Sequence, residues 1–107
     1  MLKRTSLAAV AVAGLLVTAS GVPAAGPASV EIKDFTYGPS VLTVPAGAQV
    51  TWTNHDEESH TITSATGAFG SAGLAHDETF TQTFARPGTY AYFCALHPQM
   101  RATVVVR

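Results

Sequence analysis

The strongest constraint on the fold is the alternation of apolar and polar residues in short segments along residues 29–107. Val30 and Ile32 alternate with Glu31 and Lys33, and the same two-residue period returns in segment after segment. A period of two is typical of β-strands that bury one face. Gly, Pro, Asn and Asp separate the segments, and no stretch of useful length shows the period of an amphipathic helix. The pattern therefore predicts an all-β chain.

The alternating segments predict about seven to eight short strands, which is enough for a β-sandwich of two packed sheets. The Gly-rich and Ala-rich stretch 65–75 is expected to be a loop. The aromatic residues, Trp52 and Phe35 among them, are expected in the core. The expected strands lie near residues 30–33, 42–44, 50–53, 60–62, 79–84, 89–94 and 102–107.

Residues 1–25 have the three regions of a secretory signal peptide: the basic pair Lys3 and Arg4, an uncharged apolar run, and then small residues. We expect cleavage between residues 24 and 28, which leaves one domain over residues 29–107. The apolar run is shorter than the roughly 20 residues that a membrane helix needs, so we expect no membrane span in the mature chain. The mature protein is expected in the periplasm or another extracytoplasmic space.

The charges of the expected mature domain limit the kinds of partner it can have. Seven carboxylates stand against four basic side chains in residues 29–107, a net charge of −3. No basic stripe is present in the sequence, so we expect no nucleic acid as a partner. The acids Asp56, Glu57 and Glu58 are consecutive, and we interpret them as the solvated tip of a loop.

Cys94 is the only cysteine, so it cannot form an internal disulfide bond. An unused free thiol is a liability in an oxidising compartment, and metal ligation is the first use to consider. His97 and Met100 follow Cys94 at three-residue intervals, which brings a thiolate, an imidazole and a thioether into one tight loop. These soft and borderline donors together suit copper.

A copper site of this kind needs a second imidazole from elsewhere in the chain. His60 is favoured because it alternates with Ile62 in a predicted strand. His55 lies among charged loop residues and His76 lies beside Asp77, so both are expected on the solvated surface. Two His and one Cys with a weak axial Met make a blue-copper electron-transfer site.

The pattern Cys94-x-x-His97-x-x-Met100 before a terminal strand, with His60 upstream after Trp-x-Asn, resembles the cupredoxins, or blue copper proteins. The three-residue spacings are most similar to those of the amicyanin-like members, with plastocyanin-like members next. The resemblance covers residues 30–107 and implies a Greek-key β-sandwich with copper at one end. It also implies a one-electron carrier that is not an enzyme. The implied ligands of the one type 1 copper ion are His60, Cys94, His97 and Met100.

The same resemblance implies that His97 presents its ring edge to solvent as the exit for the electron. Redox proteins such as a dehydrogenase, a reductase or a cytochrome are then expected to dock near His97, and the protein is expected to be a monomer. Asn54 is expected to tie the strand of His60 to the Cys loop. Thr61 stands where the similar members have Asn, and Gln99 replaces an aromatic residue, which makes the expected docking surface more polar.

A copper carrier or storage protein that hands over the metal itself is the alternative, because the same ligands would serve it. The sequence has no Met-rich or His-rich tract of the kind that flexible copper carriers display. A hydrolase with Cys94 as nucleophile and His97 as base lacks the third group that would orient the base. A structural zinc site is disfavoured because zinc rarely takes a thioether such as that of Met100.

Overall fold

The computed structural model describes residues 27–107, so the predicted signal peptide at residues 1–25 lies outside the described residues. No helix in the described part of the chain is long and apolar enough to cross a membrane. The secondary structure of this part consists of strands. They are β1 (Pro27–Lys33), β2 (Thr36–Gly38), β3 (Val41–Val44), β4 (Ala48–Asn54), β5 (Thr63–Ser64), β6 (Thr79–Phe84), β7 (Gly88–Phe93) and β8 (Arg101–Val106).

The eight strands form two four-stranded sheets, in the order β2-β1-β4-β6 and β3-β8-β7-β5. Strand β1 is parallel to β4 and strand β3 is parallel to β8, whereas the other neighbouring pairs are antiparallel. From β2 to β7 the chain crosses to the other sheet at every step. The prediction of an all-β Greek-key sandwich is confirmed.

The core lies between the sheets, and strand β4 shows how the sequence builds it. Ala48, Val50 and Trp52 are buried on the inner face, because residues two apart in a strand share a face. Trp52 packs edge-on against Tyr92 of the opposite sheet, with ring centroids 5.5 Å apart. The predicted core position of Trp52 is confirmed, and its contact with Tyr92 holds the sheets together through close packing.

Two local predictions differ from the structure. Strand β2 was not expected, since the turn before it is formed by Asp34 and Phe35, with φ of 53° and 59°. A two-residue turn with two positive φ angles is usually signalled by Asn-Gly or Asp-Gly. The predicted strand over 60–62 is wrong: His60 makes only an isolated bridge to Leu74, because the stretch 65–75 folds back over it and buries all three residues.

The strand ends converge at one end of the sandwich. The last pair of the β7–β8 ladder is Phe93 with Arg101, so residues 94–100 form a closed loop between two hydrogen-bonded strands. The β5–β7 ladder pairs Thr63 with Phe93, which brings residues 60–62 beside the start of this loop. Residues far apart in sequence therefore meet at this end.

Candidate metal centre

Three predicted donor residues come together at this end of the sandwich. The Sγ atom of Cys94 lies 3.8 Å from Nδ1 of His60 and 3.7 Å from Nδ1 of His97. One donor atom from each of these residues lies within 4.8 Å of the other two. Cys94 and His60 are fully buried, while His97 is partly exposed. The result is one cluster of a sulfur and two nitrogen donors.

The separations can be tested against the dimensions of a metal site. An ion bonded to nitrogen at about 2.0 Å and to sulfur at about 2.3 Å, with about 120° between the bonds, holds those atoms about 3.7 Å apart. Both sulfur–nitrogen separations, 3.8 and 3.7 Å, agree with this value. The donor set therefore fits a single transition-metal ion of the kind that prefers thiolate and imidazole.

Met100 closes the loop that begins at Cys94. Its N–H donates to the carbonyl oxygen of His97 at 2.9 Å, and its own carbonyl accepts from the N–H of Cys94 at 3.1 Å. The Met100 side chain is buried in the core cluster. Its role as an axial ligand stays a prediction.

Thr61 ties the segment of His60 to the Cys loop. Its N–H donates to Sγ of Cys94 at 3.4 Å, and its hydroxyl accepts from the N–H of Ala95 at 2.8 Å. The prediction that Asn54 does this is wrong. The Asn54 amide donates to carbonyls of the segments before and after His60, those of Glu58 and Leu74. Asn54 therefore shapes the loop, and Thr61 makes the link to Cys94 in place of an asparagine.

Asp56 holds the outer nitrogen of the His60 ring. Nδ1 of His60 faces the sulfur, and Nε2 lies 2.8 Å from Oδ2 of Asp56, so Nε2–H donates to the carboxylate. The Asp56 side chain is only 10% exposed. The interpretation of residues 56–58 as a solvated loop tip is therefore wrong for Asp56, although the side chain of Glu57 is 83% exposed. The four-residue spacing from Asp56 to His60 was the signal that could have identified this pair.

Backbone groups complete the surroundings of the carboxylate. The N–H groups of Asp34 and Phe35 donate to Asp56 at 2.7 and 2.9 Å. Burial by itself raises the pKa of Asp56, but the hydrogen bonds that its carboxylate accepts from Phe35, Asp34 and His60 outweigh burial and lower that pKa. Asp56 is therefore ionised at neutral pH.

Phe35 lies over the two imidazoles and not in the core, where it was expected. Its ring centroid is 4.9 Å from that of His60 and 4.8 Å from that of His97, both in edge-on geometry. The Phe35 side chain is partly open to solvent, as is Leu96 on the Cys loop. Since the left-handed turn that carries Phe35 was not predicted, its place beside the site was missed as well.

The two other candidate histidines lie outside the cluster. His55 is paired with Glu31 and His76 with Asp77, and both imidazoles are substantially exposed. Their predicted place on the surface is confirmed.

The fold and the cluster together define a β-sandwich with a sulfur and nitrogen metal site at one end. The sequence profile of the cupredoxin-like domain matches residues 6–106. The chain therefore belongs to the cupredoxin-like family, and the predicted resemblance is confirmed.

Within that family the chain is similar to several characterised proteins. It is 32% identical to amicyanin of Paracoccus denitrificans over an alignment of 115 positions. This alignment covers 94% of this chain and 88% of the relative. It is 32% identical to chloroplastic plastocyanin of Tetradesmus obliquus over an alignment of 108 positions, which covers 90% of this chain and 74% of the relative. Among solved structures, a purple cupredoxin from Nitrosopumilus maritimus superposes with a TM-score of 0.70 at 32% identity, covering 75% of this chain and 99% of that one.

A second solved structure is an amicyanin mutant in its reduced Cu(I) form. It superposes with a TM-score of 0.72 at 30% identity, covering 83% of this chain and 88% of that one.

Proposed function

We propose that this protein is an exported type 1 copper protein that carries one electron at a time between redox proteins. The observation that carries the proposal is the convergence of Cys94, His60 and His97 donor atoms at the end of a rigid sandwich. Met100, the last residue of the same loop, is the proposed weak fourth donor. The proposed ligands are thus His60, Cys94, His97 and Met100.

Copper is the metal that this donor set suits best. A thiolate and a thioether suit Cu(I) and imidazole suits Cu(II), so a mixed set accommodates both states. When bound, copper supplies a one-electron couple. The amicyanin relatives include a Cu(I) form, which supports the same metal here.

The chain's own residues hold the donors in place through paired strands and the hydrogen bonds of Thr61 and Asp56. Since donors that stay in place need little rearrangement, electron transfer is fast. Four protein side chains also leave no open position for a substrate, in contrast to catalytic metal sites, which keep one open. We therefore infer that the protein is not an enzyme.

The proposed route for the electron is the partly exposed edge of His97. Phe35, which is 37% exposed, packs edge-on against the His97 ring, and Leu96, which precedes His97 in the chain, is 55% exposed. Such an apolar rim suits a brief encounter with a dehydrogenase, a reductase or a cytochrome, and the net charge of −3 in residues 29–107 orients that encounter. We propose a monomer in the periplasm or another extracytoplasmic space, on the strength of the signal-peptide prediction.

The test is a visible absorption spectrum and an electron paramagnetic resonance spectrum of the mature protein loaded with one equivalent of Cu(II). We expect an intense blue band and narrow copper hyperfine splitting, bleached by a reductant and restored by an oxidant. The variant Cys94→Ser should lose the intense band, because that transition needs the sulfur. A weak, ordinary Cu(II) spectrum of the unsubstituted protein would contradict the proposal.

A second readout separates the electron carrier from a copper carrier or storage protein. We expect copper to stay bound through repeated oxidation and reduction in the presence of a chelator. If copper passes to the chelator faster than the protein exchanges electrons, the result would favour a copper carrier or storage protein.

A further inference from the structure

We propose that Asp56 is a positioning residue of the metal centre, which fixes the orientation of His60 and lowers the reduction potential of the site. The inference rests on the proposed function and goes beyond the four ligands. It starts from a largely covered carboxylate, that of Asp56, which is hydrogen-bonded to the nitrogen of the His60 ring that faces away from the sulfur.

The first step is the tautomer of His60. The 2.8 Å contact between Nε2 and Oδ2 of Asp56 needs a proton on Nε2, because an ionised carboxylate only accepts. The proton on Nε2 leaves the lone pair on Nδ1, which faces Cys94. A carboxylate bonded to the outer nitrogen of a ligand histidine sets ring orientation and makes the imidazole a stronger donor.

The second step is the rigidity of the carboxylate itself. Its two oxygens accept the backbone N–H groups of Asp34 and Phe35 at 2.7 and 2.9 Å in the β1–β2 turn. Phe35 in turn packs edge-on against the His60 ring. The turn, the carboxylate and the imidazole thus form one connected unit, so Asp56 cannot move away from His60 without breaking backbone hydrogen bonds.

The third step is electrostatic. The Asp56 side chain is 10% exposed and His60 is fully buried, so solvent screens this carboxylate less than it screens an exposed one, and its negative charge acts over a short distance. A negative charge stabilises Cu(II) more than Cu(I), because Cu(II) carries the larger positive charge. A stronger imidazole donor acts in the same direction. Both effects lower the potential at which the site takes up its one electron.

The neighbouring acid Glu57 provides a matched control. It is the next residue and carries the same charge, but its side chain is 83% exposed. Among the described contacts it is paired with the exposed His76, 3.5 Å away. An exposed charge is screened by water and salt, so it should contribute little to the potential.

The experiment compares the variants Asp56→Asn and Glu57→Gln by voltammetry of the copper-loaded protein, with the electrode as the source of the electron. We expect Asp56→Asn to raise the ratio of Cu(I) to Cu(II) binding constants at least about tenfold, a rise in potential of about 59 mV for one electron. Glu57→Gln should leave the potential unchanged. An unchanged potential in Asp56→Asn, or equal shifts in both variants, would overturn the inference.

A second measurement needs no variant, in case Asp56→Asn does not fold. Nitrogen-15 correlation spectra of the unsubstituted Cu(I) protein should show a proton on Nε2 of His60 that exchanges slowly with water. Rapid exchange, or a proton on Nδ1, would overturn the inference. If the unsubstituted protein is not blue with Cu(II), the proposed function fails; if it is blue and Asp56 has no effect, the role of Asp56 alone fails.

Discussion

At the residue scale, the proposed role of Met100 is to tune a site that other residues assemble. Its backbone makes hydrogen bonds with the backbone of Cys94 and of His97, and its side chain is buried. We predict that Met100→Leu keeps copper and the blue colour but raises the reduction potential by about 59 mV or more, which corresponds to a tenfold change in relative affinity. The reason is that loss of a weak donor disfavours Cu(II).

Voltammetry and an absorption spectrum of the same sample check this prediction. The stability of the fold provides the control, since a volume-conserving change from Met to Leu costs less than about 1.5 kcal/mol. An unchanged potential would make Met100 a core residue with no bond to the metal.

Tyr92 gives a second prediction at the residue scale. Its hydroxyl is buried near the indole N–H of Trp52, and among residues 27–107 neither group makes a hydrogen bond of good geometry. We predict that Tyr92→Phe raises the free energy of unfolding at pH 7 by about 1 kcal/mol, because an unsatisfied buried hydroxyl is removed. Urea unfolding of the metal-free protein measures the change, and an unchanged or lowered free energy of unfolding would contradict the prediction.

The same hydroxyl makes stability depend on pH. Burial raises the pKa of Tyr92 to about 12, whereas the unfolded chain titrates near 10. Ionisation of Tyr92 therefore does not affect stability below about pH 10, where the hydroxyl is neutral in both states, and it lowers the free energy of unfolding as the pH rises from about 10 towards 12. We expect urea unfolding between pH 8 and pH 12 to show a shallower loss for Tyr92→Phe than for the unsubstituted chain. Burial also raises the pKa of Tyr37, so part of the loss remains in both proteins.

At the scale of elements, the long connection between β5 and β6 encloses His60 from one side. Gly67 in this connection has a φ of +79°, and a Cβ at Gly67 would meet nothing within 4 Å. A Cβ at Gly73 also meets nothing within 4 Å, but the φ of Gly73 lies outside the left-handed range. The two glycines differ in backbone conformation and not in the space around them.

We predict that Gly67→Ala destabilises the fold by about 1–2 kcal/mol, the cost of a left-handed conformation for a residue with a Cβ. Gly73→Ala should be neutral or stabilise by up to about 1 kcal/mol, because alanine restricts the unfolded chain. Urea unfolding of both variants makes the comparison. Equal effects of the two substitutions would show that backbone conformation is not what distinguishes them.

The strands and turns at the metal end act together as a frame. The β7–β8 ladder closes the loop 94–100, and the β1–β2 turn carries both Phe35 and the N–H groups that hold Asp56. Since the donor residues are attached to paired strands or hydrogen-bonded to them, the frame holds the spacing of the cluster.

At the scale of the whole molecule, metal binding and folding are coupled, because the cluster exists only in the folded chain. We predict that Cu(I) at a free concentration 1,000 times its Kd raises the free energy of unfolding by about 4 kcal/mol. For a domain of this size that raises Tm by about 15 °C or more. Calorimetry of the metal-free and copper-loaded protein measures the difference.

The variant Cys94→Ser is the control for the thermal experiment. It removes the thiolate and keeps both imidazoles, so its gain in Tm on loading should be less than half that of the unsubstituted protein. A gain of equal size would mean that copper stabilises the fold from another place on the molecule.

The sequence by itself determined the class of fold and most of the centre. Period-two alternation predicts strands because successive side chains point to opposite faces of a strand and only one face is buried. This pattern is local along the chain. The spacing of Cys94, His97 and Met100 is also local, so the loop and its donor chemistry are recognisable from the residues alone. The distant His60 was selected by its alternation with Ile62, and the family resemblance implied the same residue.

Only the tertiary structure decided what surrounds those residues. Asp56 was assigned to the solvent, Phe35 to the core and the link to the Cys loop to Asn54, and each assignment was wrong. All three depend on contacts between segments that are distant in sequence, such as the β1–β2 turn that meets Asp56 and the bond from Thr61 to Cys94. The local sequence around a charged or aromatic residue is the same whether solvent or another segment of the chain covers its side chain. Only the packing of the whole chain distinguishes the exposed state from the covered one.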